Sequence, residues 1–273
     1  MAYKVPAFSY PGGKAKLREQ LVRMMPLCGH KYVEPFVGRG NIFWLAVHAL
    51  DFEEWHLNDT WTARWFEAIQ RIKISDIPSK MTEVLLRLYA RHAVTNRAKD
   101  DLAVALESLS MFSGGVKGGI SLGALQRPST RSFKNTIRAA RAIMRAASPL
   151  ITDLDWRDCG LDELSHLDFV YLDPPYEYAS VKYHCNTVDH QQLLLYLLHA
   201  QHLWMISGYS SSLYTHYLGE PDAKLQSRVS MHHTVRGIFR TECVWTNYTL
   251  GSNGTVTRKV LKIPRIQKRR ISL

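Results

Sequence analysis

The sequence predicts an α/β fold in which a largely parallel sheet, covered by helices on both faces, is interrupted by a mainly helical insertion. A strand, glycine turn and helix pattern opens the chain. The stretch from Trp61 to Pro149 has helical periodicity and no obvious strand, and strand and helix alternate again after Pro149. Either half alone holds too few strands for a covered parallel sheet. The halves therefore read as one discontinuous domain, 1–60 with 150–260, around an insert at 61–149 and before a basic tail at 261–273.

Taken in order, Lys31-Tyr32-Val33-Glu34-Pro35-Phe36 reads as a short buried strand, Gly38 and Gly40 as a turn, and Ile42 to Leu50 as a helix. Glu54 to Leu57 is a second strand ending at Asn58-Asp59, which opens a βαβ unit. In the insert, Met81, Val84, Leu85 and Leu88 give a helix over Ser79 to His92, and Ala98 to Ser110 continues the period. Ser113 to Gly119 is too glycine-rich for regular structure, and Phe133 to Ala147 is a further helix. Strands are then expected at Ile151 to Trp156, Phe169 to Leu172, Leu203 to Ser207, Ser227 to His233 and Glu242 to Tyr248, with a helix after Asp189.

Of the 273 residues 46% are apolar and 22% charged, which excludes a disordered or fibrous chain. Lys and Arg number 35 against 24 Asp and Glu, a net charge of +11 that favours a polyanionic partner. Fifteen of those cations against six anions fall between 61 and 150, so the insert carries most of the excess. Cys28, Cys159, Cys185 and Cys243 are scattered without a C-x-x-C pair, which argues against a disulfide framework or a zinc site and for reduced thiols. With no apolar leader and no run of about 18 apolar residues, a cytoplasmic protein without membrane or metal is expected.

Asp173-Pro174-Pro175-Tyr176 follows the apolar run Phe169 to Leu172, and ligands of open α/β sheets bind beyond the carboxyl ends of strands. Two prolines fix φ and remove two donors, leaving a rigid loop rich in acceptors. Such a loop suits an amino group on a planar ring: Asp173 and the Pro174 carbonyl accept from the NH₂ while Tyr176 stacks on the ring. A second constellation is Glu34-Pro35-Phe36-Val37-Gly38-Arg39-Gly40, with Asp59 lying 19 positions after Gly40. Glycines at a strand-to-helix turn permit close backbone approach, and an acidic group at that distance binds ribose hydroxyls, so a nucleoside-containing cofactor is expected. Phe43 stands where a third glycine would complete a pyrophosphate site, which disfavours a nicotinamide-dependent oxidoreductase. The third constellation, Phe8-Ser9-Tyr10-Pro11-Gly12-Gly13-Lys14, places an aromatic and a cation around a turn able to fold over a cofactor.

In order and spacing, Tyr10 to Lys14, Glu34 to Gly40, Asp59 and Asp173 to Tyr176 resemble the Dam-type (D12 class) N6-adenine-specific DNA methyltransferases, across most of the chain. The resemblance implies a Rossmann-like S-adenosylmethionine-dependent methyltransferase sheet whose insertion is a target-recognition lobe. It assigns Tyr10, Gly12, Gly13 and Lys14 to contact with S-adenosyl-L-methionine, Glu34, Pro35, Phe36, Gly38 and Gly40 to the loop around the methionine part, and Asp59 to the ribose. Asp158 matches an acidic position near the cofactor's adenine, and Cys159 stands where an aromatic often follows. Asp173, Pro174, Pro175 and Tyr176 match the catalytic loop, with Asp173 and Cys159 also assigned to the cofactor. The implied reaction is extrusion of an adenine from double-stranded DNA, stacking on Tyr176 and direct attack of N6 on the sulfonium methyl, with no metal and no covalent enzyme intermediate. The implied location is cytosolic and nucleoid-associated.

Lys134, Arg138, Arg141 and Arg145 recur at helical spacing on one face of the helix expected over Phe133 to Ala147, a stripe able to track phosphates. Gln126, Arg127, Ser129, Thr130 and Arg131 offer donors of the kind that read base edges. The Arg-Tyr-Asn type hairpin of the family's GATC readers is not found in the insertion, so GATC is not the expected site. Arg258, Lys259, Lys262, Arg265, Lys268, Arg269 and Arg270 form a basic C-terminal stretch with no acidic residue. Competing readings are an N4-cytosine or RNA N6-adenine methyltransferase and a DNA-binding protein that has lost activity. Asp rather than Ser at 173 leans toward adenine, and the intact Asp173 and Tyr176 lean toward an enzyme.

Overall fold

Seven strands build the sheet: β1 (Cys28–Glu34), β2 (Asp51–Asn58), β3 (Leu150–Thr152), β4 (Phe169–Leu172), β5 (Leu203–Gly208), β6 (Ala223–Val229) and β7 (Ile238–Thr246), in the spatial order β3-β2-β1-β4-β5-β7-β6. The computed structural model describes residues 5–8, 13–80, 82, 100–106, 130–176, 188–229 and 238–261. β1 to β5 run parallel, and β7 is antiparallel to both β5 and β6. β8 (Tyr248–Leu250) and β9 (Val256–Arg258) form a separate antiparallel pair.

The middle of the sheet buries both faces, so β4 is apolar throughout, β1 is buried over its last three residues, and successive residues feed opposite cores. Tyr32, Phe169, Tyr171, Met205 and Val244 point into one core. Their neighbours Val33, Val170, Leu172, Trp204, Ile206 and Trp245 point into the other. Helices α1 (Arg18–Val22), α2 (Phe43–Ala49), α3 (Ala63–Arg71), α4 (Asp101–Leu106) and α5 (Arg131–Ala147) cover the first face, through residues such as Trp44, Trp65, Phe66, Leu106 and Ile137. Helices α6 (His190–His199) and α7 (Ser212–Leu218) cover the second with Leu193, Leu194, Leu197 and Tyr214. The expected α/β architecture, a Rossmann-like methyltransferase sheet with helices on both faces, is the one found.

The expected element boundaries move where local chemistry is decisive. β1 begins earlier than its hydrophobic run and stops at Glu34, because Pro35 has no N–H for the ladder. β3 is only three residues long and gives way to a 3₁₀ turn at Trp156–Asp158, capped by Asp155, which accepts from the Arg157 N–H. β6 lies four residues before its expected position. It is the sheet edge and alternates polar residues, so its signal is weak. Arg258 and Lys259, the first cations of the basic C-terminal stretch, are bound within the fold. Arg258 donates to the Gln201 carbonyl, and Lys259 donates to Asp222 and Thr246, which fastens the end of β9 beside β7. The glycine-rich stretch 113–119, most of the helix expected over 79–92, His232-His233 and the tail from Lys262 lie outside the described residues.

Within 61–149, α3, α4 and α5 contribute to the same core as the sheet. α5 is fixed by the apolar face expected for it, with Ile137, Ala140, Ile143 and Met144 all buried, and ends at Ser148 in the left-handed region. The described residues of this segment thus form part of the sheet's cover, not a separate core.

Asn58, at the end of β2, ties three elements together. Its side-chain amide donates to the carbonyls of Pro35 and Leu154, while its oxygen accepts from the Leu154 N–H and the Thr152 hydroxyl. Asn58→Ala leaves these groups unsatisfied and is expected to cost about 2–4 kcal/mol in urea denaturation, against under about 0.5 kcal/mol for an ordinary surface substitution.

Candidate active site

The order of the sheet locates the site before any side chain is considered. From β1 the chain moves outward through β2 to β3, and β4 then starts on the other side of β1 and leads outward through β5. Strand order therefore reverses between β1 and β4, where the connections diverge and leave a crevice at the carboxyl ends. β1 ends at Glu34 and β4 at Leu172, so the segments 34–40 and 173–176 open onto that crevice.

Period-two alternation then sets a row of polar groups at the end of the first core. Glu34 follows Tyr32 by two positions, Asp173 follows Tyr171, Ser207 follows Met205 and, on the antiparallel strand, Glu242 precedes Val244. Lys14 reaches this row from the N-terminal segment. That segment is anchored by reciprocal bonds between Asn41 and the Phe8 backbone, and by the Phe8 ring edge-on to Trp65 at 4.6 Å.

The Lys14 ammonium is buried and lies 2.6 Å from Asp173 Oδ1 and 3.4 Å from Glu242 Oε1. It also donates to the Tyr176 hydroxyl, which donates in turn to Glu242 at 3.0 and 3.1 Å from its two oxygens. Ser207 Oγ lies 3.5 Å from Asp173 Oδ1 and 2.8 Å from the Tyr171 hydroxyl. Burial alone would lower the Lys14 pKa, but the charges of Asp173 and Glu242 outweigh it and raise the value. Burial pushes Glu242 up to about 7, against the pull of Lys14. It also pushes Asp173 up, opposed by its ion pair with Lys14.

The loop itself is held from the other face. His190 Nε2 is 2.9 Å from the Pro175 carbonyl and Nδ1 is 2.9 Å from the Tyr214 hydroxyl. A carbonyl only accepts, so Nε2 carries the proton and Nδ1 accepts from Tyr214. The Tyr176 ring packs on Tyr209, centroids 4.2 Å apart, and the Lys14 Nζ stands 4.9 Å from its centroid.

In the glycine turn Gly38 and Gly40 both take positive φ, 54° and 67°, a region that L residues rarely adopt. A Cβ on Gly40 would also lie 3.0 Å from the Trp44 ring. Asp59 fixes the turn, accepting from the Gly38 N–H through one oxygen and from the Trp61 and Thr62 N–H groups through the other.

The structure thus brings together Lys14, Asp173 and Tyr176, with Glu34 at the end of the adjacent strand, and joins Gly38 to Asp59. Lys14, expected at the cofactor, pairs with Asp173 and bonds Tyr176 of the 173–176 loop. Asp158 is exposed, whereas Cys159 is buried in the second core with its thiol against the Asp155 carbonyl at 3.4 Å. Tyr10 and Gly12 lie outside the described residues, and Gly13 is exposed. Glu242, Ser207, Tyr209 and His190 are absent from the sequence-based set. Only Glu242 left a trace, as a carboxylate inside the strand-like run Thr241-Glu242-Cys243-Val244-Trp245.

Among the residues expected to meet DNA, Arg131, Lys134 and Arg138 line a surface cleft of about 440 Å³ with Ser79, Thr130 and Asn135. Arg138 and Arg145 are exposed further along α5. Two expectations are corrected. Thr130 is buried and donates to the Pro78 carbonyl, and Arg141 donates to the carbonyls of Ile69 and Ile72, satisfying the end of α3. The Thr130 hydroxyl is thus committed within the fold and not offered to a base edge, and Arg141 bonds α3 where a phosphate contact was expected. Gln126, Arg127 and Ser129 lie outside the described residues.

Residues 10–94 match the family model of the D12 class N6 adenine-specific DNA methyltransferases. Over this stretch the chain is similar to that class. The matched stretch carries Lys14, Glu34, the glycine turn and Asp59, while Asp173 to Tyr176 lie beyond it. No match was found among curated proteins. The enzyme is a site-specific DNA methyltransferase acting on adenine N6. Among its described residues no helix is long and apolar enough to cross a membrane, and no group of three or more His, Cys, Asp or Glu is placed to hold a metal.

In this methyltransferase the buried row has a consequence for stability. Burial chiefly, and the charge of Asp173, raise the Glu34 carboxyl to about 8, against the bond from the Tyr32 hydroxyl. A raised carboxyl pKa stabilises the fold fully below the ordinary value near 4.5, and that contribution is lost as pH rises through about 8. Urea denaturation is expected to show wild-type stability falling from pH 5 to pH 9 by on the order of 3 kcal/mol. In Glu34→Gln this part of the decline should disappear.

Proposed function

We propose that the methyltransferase uses S-adenosyl-L-methionine to methylate N6 of an adenine extruded from double-stranded DNA, and that Asp173, Pro174, Pro175 and Tyr176 form its acceptor loop. The observation that carries this reading is the buried polar row at the switch-point crevice, where Asp173 and Tyr176 stand at the end of the strand beside the one that leads into the glycine turn.

The residues present fit the cofactor. The turn at Gly38 and Gly40 exposes backbone without side chains, and Asp59 spends three of its roughly four acceptor positions on N–H groups, leaving one for a ribose hydroxyl. Glu34, Pro35, Phe36, Gly38 and Gly40 would surround its methionine part, and Asp158 would lie near its adenine. Bound there, S-adenosyl-L-methionine supplies an electrophilic methyl group on a sulfonium whose bonding pair departs with sulfur.

The protein's own work is to present the amine. A stacked and paired N6 is out of reach, so the base must leave the helix. The Asp173 carboxylate and the Pro174 carbonyl accept from its two N–H bonds, which localises the nitrogen lone pair. The Pro175 carbonyl is already taken by His190, which leaves Pro174 as the loop's available prolyl acceptor. Asp173 also offsets the positive charge that develops on nitrogen before the proton is lost. Phosphates would run along the cleft lined by Arg131, Lys134 and Arg138 and past Arg145.

Asp173→Ala is expected to abolish methyl transfer from tritiated cofactor to DNA while S-adenosylhomocysteine still raises the melting temperature; retained turnover would remove the loop from the mechanism. For the DNA surface, Lys134→Ala with Arg138→Ala should reduce the slope of log binding constant against log salt by about 2 without altering the methylated sequence. An unchanged slope would place the phosphates elsewhere.

A further inference from the structure

The acceptor loop has a feature that its proposed role does not explain. Asp173 Oδ1, the oxygen meant for the target amino group, already holds the Lys14 ammonium at 2.6 Å. That ammonium also stands at the hydroxyl edge of the Tyr176 ring, 4.9 Å from its centroid, and donates to the hydroxyl. A cation in this place opposes the reaction twice. It occupies the acceptor, and it repels the positive charge that grows on N6 as the methyl group arrives. A second carboxylate is within reach, since Glu242 Oε1 is 3.4 Å from the same ammonium and Glu242 accepts from the Tyr176 hydroxyl through both oxygens.

We infer that Glu242 is a positioning residue that draws Lys14 away from Asp173 when the target adenine enters, and that it anchors the Tyr176 hydroxyl so that the ring keeps its place against Tyr209. This rests on the reading of Asp173 as the acceptor of the amino group. Three buried charges make the exchange inexpensive: the ammonium moves between two carboxylates already on either side of it and never loses a counter-ion. Tyr176, which accepts from Lys14 and donates to Glu242, bridges the two positions. Once Lys14 is paired with Glu242, the negative charge of Asp173 faces the amine alone.

Protonation of Glu242 cancels this effect, because a neutral carboxyl no longer competes for the ammonium. The groups facing Glu242 are Lys14 from the N-terminal segment, Asp173 and Tyr176 from the loop after β4, and Tyr171 from β4 itself. Burial places its titration near 7, so the transfer rate should rise with pH through about 7.

The test compares single-turnover methylation of duplex DNA between pH 5.5 and 9 for wild type, Glu242→Gln, Glu242→Asp and the double variant Lys14→Met with Glu242→Gln, with S-adenosylhomocysteine affinity by calorimetry to verify the folded site. Glu242→Gln should be about 10-fold slower or more and should lose the rise near pH 7, while Glu242→Asp keeps it. Removing the cation in the double variant should recover rate relative to Glu242→Gln, whereas a carboxylate that only supports packing would make the double variant slower still. A wild-type rate and profile in Glu242→Gln, or a double variant slower than the single, overturns the inference. Asp173→Ala, measured in parallel, separates the two readings. Its inactivity alongside a normal Glu242→Gln discards only the role of Glu242, and its activity discards the acceptor loop.

Discussion

The placement of one ammonium between two carboxylates at the end of an apolar sheet governs much of this structure. Lys14, Asp173 and Glu242 come from three distant parts of the chain, and burying any one of them alone would cost several kcal/mol. Together they are tolerable, and the N-terminal segment, the loop after β4 and β7 are thereby held against one another. Tyr176, bonded to both Lys14 and Glu242, is fixed in the same stroke.

Around this centre the fold supplies positions and the loops supply chemistry. The reversal of strand order between β1 and β4 sets the glycine turn beside the proposed acceptor loop. Asp59 shapes the turn through three backbone donors, and His190, clamped between Pro175 and Tyr214, shapes the loop from beneath. One side chain thus shapes each segment: Asp59 makes three backbone bonds and keeps one acceptor position, and His190 engages both ring nitrogens. Rigidity of this kind suits a reaction in which orientation of an amine is most of the catalysis.

Charge on α5 divides by geometry as well as by number. Lys134, Arg138, Arg141 and Arg145 look equivalent on a helical projection, yet Arg141 turns to the last carbonyls of α3 while Arg138 and Arg145 face solvent. A guanidinium beside an uncapped helix end is drawn to it, and no count of basic residues reveals which one will be.

Local pattern determined the central strands, α5, the glycine turn and the loop at 173–176, because apolar periodicity, prolines and glycines act within a few residues of one another. The resemblance to a known family, carried by these motifs in order, implied that Lys14, Asp59 and the loop at 173–176 share one site. Only the tertiary structure decided that Lys14 faces Asp173, that Glu242 and His190 complete the site, and that Thr130 and Arg141 serve the core. Such contacts join residues tens to hundreds of positions apart. They depend on strand order and on which face each side chain takes, and neither is written in any single stretch of sequence.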